Sequence, residues 1–183
     1  MAYMPTGRAV IDPFRVLEAA GIRSEMKVAD LGVGAVGHLL FPAAQLVGPK
    51  GTVYAVDILK SVLQANQGRV KLSGADNVEF VWGDIERLNG TKLPDNSMDM
   101  ALLVNILSVT KREQVLQEAR RILSTGGILV VVDWKPAGTR LGPPAEKRLA
   151  KEDAIALAKQ AGFVVQKEIE PGPYHYGLIF TKP

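Results

Sequence analysis

Residues 28–37 read Val-Ala-Asp-Leu-Gly-Val-Gly-Ala-Val-Gly, and residues 53–57 read Val-Tyr-Ala-Val-Asp. The first stretch is an apolar strand that runs into Gly32, Gly34 and Gly37, and the second is an apolar strand that ends on a carboxylate. A strand, a glycine loop, a helix and a second strand in this order are typical of a crevice that binds a nucleoside-containing cofactor. The two stretches therefore predict both the fold class and the place of a binding site.

Strand and helix patterns alternate through most of the chain. Strands are predicted at 27–31, 52–56, 78–82, 99–104 and 127–133, and helices at 12–21, 36–47, 59–72, 111–123 and 150–161. Ala101–Val104 and Ile128–Val132 are continuously apolar, as expected of parallel strands that helices cover on both faces. The pattern predicts an α/β fold with a doubly wound sheet. Within helix 36–47, Pro42 is expected to remove one backbone hydrogen bond and to bend the helix.

The C-terminal segment breaks this alternation. Residues 163–169 and 176–180 are both strand-like, and only residues 170–175 join them. Such a short link does not hold a crossover helix, so the two strands must be antiparallel neighbours. We therefore expect a mostly parallel sheet closed by a C-terminal antiparallel hairpin.

The composition narrows the class of protein. The 183 residues are 47% hydrophobic and 22% charged, with a net charge of +3, which favours one globular domain over residues 1–183. No cysteine is present, which excludes disulfides, thiolate zinc sites and a cysteine nucleophile, and no metal is expected. No apolar run approaches the ~20 residues of a membrane span, and no secretory signal is recognisable. We expect a cytoplasmic protein.

Gly32, Gly34 and Gly37 satisfy the G-x-G-x-x-G pattern, which on its own suggests a dinucleotide site. Asp30 argues against that reading, because a carboxylate two residues before the first glycine repels a pyrophosphate and suits a cationic group. The chain also leaves no room for the separate substrate domain of most two-domain dehydrogenases. An NAD(P)-dependent oxidoreductase that uses the glycines and Asp57 stays open as an alternative.

Several ordered segments together resemble the class I S-adenosylmethionine-dependent methyltransferases, over nearly the whole chain. Residues 28–34 resemble that family's first motif, Asp57 matches the acidic residue that closes its second strand, and Trp82–Ile85 resembles its third-strand motif. Residues 93–105 and 118–127 resemble the approaches to its fourth and fifth strands. The resemblance is to a group of small-molecule methyltransferases that includes quinone-biosynthesis enzymes. It implies a seven-stranded Rossmann-like sheet and S-adenosylmethionine as the cofactor.

The resemblance also implies roles for particular residues. The implied cofactor-binding residues are Asp30, Gly32, Gly34, Gly37, Asp57, Ile58, Gly83, Asp84, Ile85 and Asn105. Among them, Asp30 would lie near the cofactor's ammonium group, Asp57 would accept both ribose hydroxyls, and Asn105 would lie by the methyl group. Asp84 would accept the adenine amine, and the cap of a turn before Ile85 is the alternative role for its side chain.

The candidate catalytic residues are Asn105, His38 and Asp133. His38 follows the glycine loop and suits deprotonation of a substrate hydroxyl, but a histidine bonded to the backbone at a helix start is the alternative. Asp133 ends the fifth strand at the functional edge of the sheet, and a substrate contact there is left open. No base is strictly required, because in-line alignment of the reacting groups alone contributes about 7–11 kcal/mol.

The expected acceptor is a small molecule that is methylated at an O, N or C atom. Residues 105–108 read Asn-Ile-Leu-Ser and lack the Pro-Pro-aromatic motif of similar families that methylate DNA bases or glutamine, which disfavours those acceptors. The loops leave an open mouth, which residues 1–21 are expected to border and a homodimer would close. An RNA or protein acceptor, and a non-catalytic module that binds S-adenosylmethionine, remain alternatives.

Overall fold

The computed structural model describes residues 10–137 and 139–183. In this part of the chain seven strands form one sheet, in the order β3-β2-β1-β4-β5-β7-β6. The strands are β1 (Lys27–Leu31), β2 (Thr52–Asp57), β3 (Val78–Trp82), β4 (Met98–Val104), β5 (Leu123–Trp134), β6 (Val164–Gly172) and β7 (His175–Thr181). The helices are α1 (Pro13–Ala19), α2 (Leu40–Val47), α3 (Lys60–Ser73), α4 (Arg112–Ile122) and α5 (Lys151–Gln160), with a 3₁₀ turn at Ala145–Lys147.

The first five strands are parallel to one another, and helices cover both faces of the sheet. Successive side chains of a strand point to opposite faces, so each strand serves two cores. On β4, Met100 and Leu102 pack with α1, α2 and α3, whereas Ala101 and Leu103 pack with α4 and α5. The predicted doubly wound α/β fold is confirmed, and the carboxyl ends of β1 to β5 share one edge.

Strand β7 is antiparallel to both of its neighbours, β5 and β6. It is buried from His175 to Phe180, because it lies between two other strands. The predicted C-terminal hairpin is therefore confirmed. Its link is shorter than expected, since β6 continues to Gly172 and only Pro173 and Tyr174 form the turn.

The helix that follows the glycine loop begins later than predicted. The sequence favoured residues 36–47, but α2 starts at Leu40, because Gly34 and Gly37 adopt positive φ values of 64° and 59° and keep the preceding segment out of the helix. Pro42 consequently lies in the first turn of α2, where backbone amides have no partner within the helix. The predicted loss of a helical hydrogen bond at Pro42 was wrong.

The first described residues lie against the C-terminal hairpin. The carboxylate of Asp12 caps α1 by accepting the amide of Arg15 at 3.1 Å, and the amide of Asp12 donates to the carbonyl of Pro171 at 2.8 Å. Val10 lies so close to Gly172 that no side chain would fit there. Residues 1–9 fall outside the described residues, so the place of the N-terminal segment beside the substrate mouth stays a prediction.

None of the helices in the described part of the chain has the length and apolar character that crossing a bilayer requires.

Candidate active site

Two adjoining cavities lie at the carboxyl ends of the parallel strands, where β1 separates β2 from β4. The smaller, of about 240 Å³, is lined by Asp30, residues 32–39 and residues 104–106. The larger, of about 350 Å³, is lined by Asp57, Ile58, residues 83–86 and Thr110. Gly32, Gly34 and Ile106 border both. This is the switch point of a doubly wound sheet, where ligands bind in open α/β folds.

Glycines form the floor between the two cavities. Gly32 has a φ of +75°, and a Cβ at this position would collide with the side chain of Ile106. Gly37 has a φ of +59°, and a Cβ there would lie 2.8 Å from Oδ1 of Asn66. Backbone turns of this kind disfavour residues with a β-carbon. The loop is therefore a tight turn whose backbone lies close to the side chains of Ile106 and Asn66.

Asp30 is a buried carboxylate that faces the smaller cavity. Asp30 is 3% exposed, and its carboxyl group has no hydrogen bond or ion pair within residues 10–137 and 139–183. Burial, and secondarily the negative charge of Asp57, raise the pKa of Asp30 to about 7. A cationic group in the cavity would reverse this effect, because an opposite charge favours the ionised form of a carboxylate.

Asp57, at the end of β2, is held in place by two backbone amides. Its Oδ2 accepts the amide of Gly34 at 3.1 Å, and its Oδ1 accepts the amide of Leu59 at 2.9 Å. Each oxygen of an ionised carboxylate retains further acceptor capacity, so the group is oriented but not saturated. Beside it, the side chain of Ile58 is 55% exposed and lines the larger cavity.

Gly83, Asp84 and Ile85 form the far wall of the larger cavity. Oδ1 of Asp84 accepts the amide of Glu86 at 2.9 Å, so the turn-capping role considered from the sequence is present. The loop that follows is fixed by the buried carboxylate of Glu118, which accepts the amides of Asn89 at 2.8 Å and Thr91 at 3.1 Å. The turn therefore presents Asp84 from a fixed backbone.

The three candidate catalytic residues do not lie together. Asn105 has a φ of +59°, and its buried Oδ1 has no hydrogen-bond partner within the described residues. His38 is half-buried. Asn105 and His38 both line the smaller cavity, as Asp30 does. Burial lowers the pKa of His38 below its usual range.

Asp133 lines neither of these cavities and is fully buried. Its Oδ1 accepts the hydroxyl of Ser108 at 2.6 Å and the amide of Trp134 at 2.8 Å, and its Oδ2 accepts the amide of Ser108 at 3.1 Å. Asp133 thus supports the 106–110 loop, and its predicted catalytic role stays a prediction.

A separate cavity, of about 590 Å³, lies between α2 and α3 and is lined by Phe41, Gly48 and Asn77, among other residues. Gly48 and Asn77 precede β2 and β3, so this cavity is at the opposite edge of the sheet and contains none of the predicted site residues. Among the described residues, no cluster of three or more metal-ligating side chains occurs.

A family model described as a methyltransferase domain matches residues 22–170. The chain belongs to the class I S-adenosylmethionine-dependent methyltransferases. The predicted family and cofactor are thereby confirmed, and the alternative of an NAD(P)-dependent oxidoreductase is excluded.

Solved and curated relatives support this assignment. A crystal structure of an S-adenosylmethionine-dependent methyltransferase from Aquifex aeolicus is 27% identical to this methyltransferase, with a TM-score of 0.89 over 98% of this chain and 94% of the other. The ubiquinone/menaquinone biosynthesis C-methyltransferase UbiE of Hahella chejuensis is 35% identical over 120 residues, which are 64% of this chain and 47% of the relative. The protein of the same name from Pseudomonas putida is 32% identical over 163 residues, which are 86% of this chain and 59% of the relative. The chain spans about half the length of these curated relatives.

The cleft of this methyltransferase fits S-adenosylmethionine. The cofactor carries an ammonium group, vicinal ribose hydroxyls and an adenine ring. The cleft offers the carboxylate of Asp30, which is buried and without a partner among the described residues, an oriented carboxylate at Asp57 and an apolar surface at Ile58. A Cβ at Gly34 would meet only the carbonyl oxygen of Gly32, at 3.9 Å, so the backbone of the loop is open at this position.

Sequence reasoning missed residues that border this cleft. Ile106 lines both cavities, and its position directly after Asn105 at the end of β4 was the available signal. Asn66 and Arg69 of α3 contact the glycine loop, but nothing in their helical segment distinguished them from surface residues.

Proposed function

We propose that this methyltransferase transfers the methyl group of S-adenosylmethionine to a small, largely apolar acceptor. The observation that carries the proposal is the pair of joined cavities, with the buried carboxylate of Asp30 in one and the oriented carboxylate of Asp57 in the other. In this proposal the cofactor occupies both cavities, and the acceptor approaches over Asn105 and His38.

The residues around the larger cavity would hold the nucleoside half of the cofactor. Asp57 has acceptor capacity left on both oxygens, which suits two neighbouring ribose hydroxyls. The exposed side chain of Ile58 and the buried side chain of Ile85 provide apolar surface for the adenine ring. Asp84 would accept the exocyclic amine of adenine, since only its Oδ1 is used by the turn.

The residues around the smaller cavity would hold the methionine half and orient the acceptor. Bound S-adenosylmethionine supplies a methyl group that its positive sulfonium makes electrophilic. Asp30 would pair with the cofactor's ammonium group. Oδ1 of Asn105, which has no hydrogen-bond partner among the described residues, would orient a polar group of the acceptor. His38, neutral near pH 7 because burial lowers its pKa, would accept the proton that the acceptor loses.

The surface around the cleft favours an apolar acceptor. Val36 on the glycine loop is 54% exposed, and Val109 on the loop after β4 is 62% exposed. The UbiE relatives are named for C-methylation in quinone biosynthesis, which supports a carbon atom of an electron-rich ring as the methylated position. We therefore propose C-methylation of a small ring compound, and methylation at oxygen or nitrogen is a distinguishable outcome of the test.

The test is incubation with methyl-labelled S-adenosylmethionine and two separate cell fractions, one of small molecules and one of RNA and protein. We expect label in an organic-soluble small molecule with wild type, and none with Asp57→Ala. Label in RNA or protein would overturn the proposed acceptor class. Cofactor binding by calorimetry without any transfer would instead support the non-catalytic module. A homodimer and a cytoplasmic location stay predictions, and size-exclusion chromatography with light scattering tests the former.

A further inference from the structure

The carbonyl side of the glycine loop is held by helix α3. Asn66 is fully buried, and its Nδ2 donates to the carbonyl of Gly34 at 2.9 Å. Nη1 of Arg69 donates to the carbonyl of Val36 at 2.9 Å, and Nη2 of Arg69 donates to the carbonyl of Ala35. Three consecutive carbonyls of the loop therefore accept hydrogen bonds from two side chains of one helix.

The two side chains also hold each other. Nη2 of Arg69 donates to Oδ1 of Asn66 at 2.7 Å, and the guanidinium lies 5.8 Å from the centre of the Phe41 ring. The other anchor of Asn66 is the carbonyl of Val62, one turn earlier in α3, at 3.0 Å. A planar guanidinium supplies several donors in a fixed fork, which a lysine ammonium does not reproduce. This set of contacts specifies arginine at position 69.

Fixing three carbonyls also fixes the amides that follow them. In a trans peptide the C=O and the next N–H point in opposite directions. Because the carbonyls of residues 34–36 point at α3, the amides of residues 35–37 point away from α3, and these residues line the smaller cavity. The amide of Gly34 itself is occupied by Asp57.

A short row of aligned backbone amides is a surface for an anion. S-adenosylmethionine carries a carboxylate on the same carbon as the ammonium group that is proposed to pair with Asp30. We propose that Asn66 and Arg69 are positioning residues, which aim the amides of residues 35–37 at the α-carboxylate of the cofactor. The inference rests on the proposed orientation of the cofactor, with its methionine half in the smaller cavity.

The test compares two ligands that differ in the amino-acid part. S-adenosylhomocysteine contains the α-carboxylate, whereas 5′-methylthioadenosine lacks the amino-acid group. We expect Arg69→Met to weaken binding of S-adenosylhomocysteine about tenfold, which is about 1.4 kcal/mol, and to leave binding of 5′-methylthioadenosine within about twofold of wild type. Lys71→Met, which removes a positive charge two residues further along α3, is the matched control and should change neither affinity.

Three results would overturn the inference. The first is Arg69→Met binding S-adenosylhomocysteine as wild type does, and the second is equal loss of both ligands. The third is complete rescue by Arg69→Lys, which would show that charge and not the fork is required. Asn66→Asp removes the donor to Gly34 at nearly constant volume and should show the same selective loss of S-adenosylhomocysteine binding. If Asn66→Asp does not fold, the Arg69 variants alone test the inference. Failure of wild type to bind either ligand would instead refute the proposed cofactor site, and the inference with it.

Discussion

Replacing Asp30 by asparagine removes a buried carboxyl group that no other described residue pairs with, so the ligand-free variant should gain stability over wild type as the pH rises. Burial and the charge of Asp57 raise the pKa of Asp30 from 3.8 to about 7. A carboxyl group whose pKa is raised by folding binds its proton more tightly in the folded than in the unfolded chain. It therefore lowers the stability of the folded chain progressively between about pH 4 and pH 7.

The magnitude follows from the size of the pKa shift. A shift of about three pH units corresponds to about 4 kcal/mol, since one unit is about 1.36 kcal/mol. The free energy of unfolding of Asp30→Asn, measured against wild type by urea denaturation, should thus rise by about 4 kcal/mol between pH 4 and pH 8. The exposed carboxylate Asp76 provides the control, because Asp76→Asn should give a difference from wild type that changes little over this range. A difference for Asp30→Asn that does not change with pH would refute the reasoning.

The same substitution should weaken cofactor binding. If the ammonium group of S-adenosylmethionine pairs with ionised Asp30, wild type must release a proton to bind it below pH 7. Linkage then predicts an affinity that falls on the order of 50-fold from pH 7 to pH 5. Calorimetric titration should show this dependence in wild type and its absence in Asp30→Asn, whose affinity should be lower at pH 7. An equal pH dependence in both proteins would remove Asp30 from the ammonium site.

Three further predictions concern groups outside the cofactor cleft. Burial lowers the pKa of His175 to about 4. The unfolding free energy of wild type should therefore fall by about 3 kcal/mol as the pH falls from about 6.5 to 4, and that of His175→Phe should not. An equal fall in the unfolding free energy of both proteins would contradict this. Asp133→Ala leaves the hydroxyl and amide of Ser108 without their acceptor, so the unfolding free energy from urea denaturation should fall by about 2–3 kcal/mol. The affinity for the cofactor should stay within a few-fold of wild type. A large selective loss of affinity would show that Asp133 takes a direct part in binding. Glu118→Gln breaks a buried ion pair with Arg121 and should lower the unfolding free energy by about 3–5 kcal/mol. The melting temperature should fall, and an unchanged melting temperature would disprove the prediction.

The fold was predictable because its signals are local. The glycine loop, the apolar parallel strands and the carboxylate that ends β2 can each be recognised within a few residues. The short link before His175 excluded a crossover helix, which settled the antiparallel hairpin without knowledge of its partners. The start of α2 was misplaced because Val36 and Leu39 continue the helical spacing of apolar residues, whereas the positive φ of Gly37 ends it.

The supporting residues of the site were not predictable, because their roles depend on distant contacts. Arg69 reaches the glycine loop 33 residues earlier in the chain, and Glu118 holds a loop 27 residues before it. In the sequence both are ordinary polar residues of amphipathic helices. The sequence correctly placed Asp133 at the functional edge of the sheet. It did not indicate that the side chain of Asp133 is buried beneath the 106–110 loop and lines neither cavity.

Two carboxylates of the cleft differ in how much of their charge the fold compensates. Asp57 accepts two backbone amides, so its orientation is set before any ligand arrives. Asp30 is as deeply buried but has no such partner in the described part of the chain, so its negative charge is unfavourable until a cation enters the cavity. The ionised carboxylate of Asp30 therefore destabilises the ligand-free fold, and a cationic ligand removes this destabilisation. It follows that S-adenosylmethionine should stabilise the folded chain more above pH 7 than at pH 5. Above pH 7 it should also stabilise the chain more than 5′-methylthioadenosine does, when each ligand is present at the same multiple of the Kd that it has at pH 5.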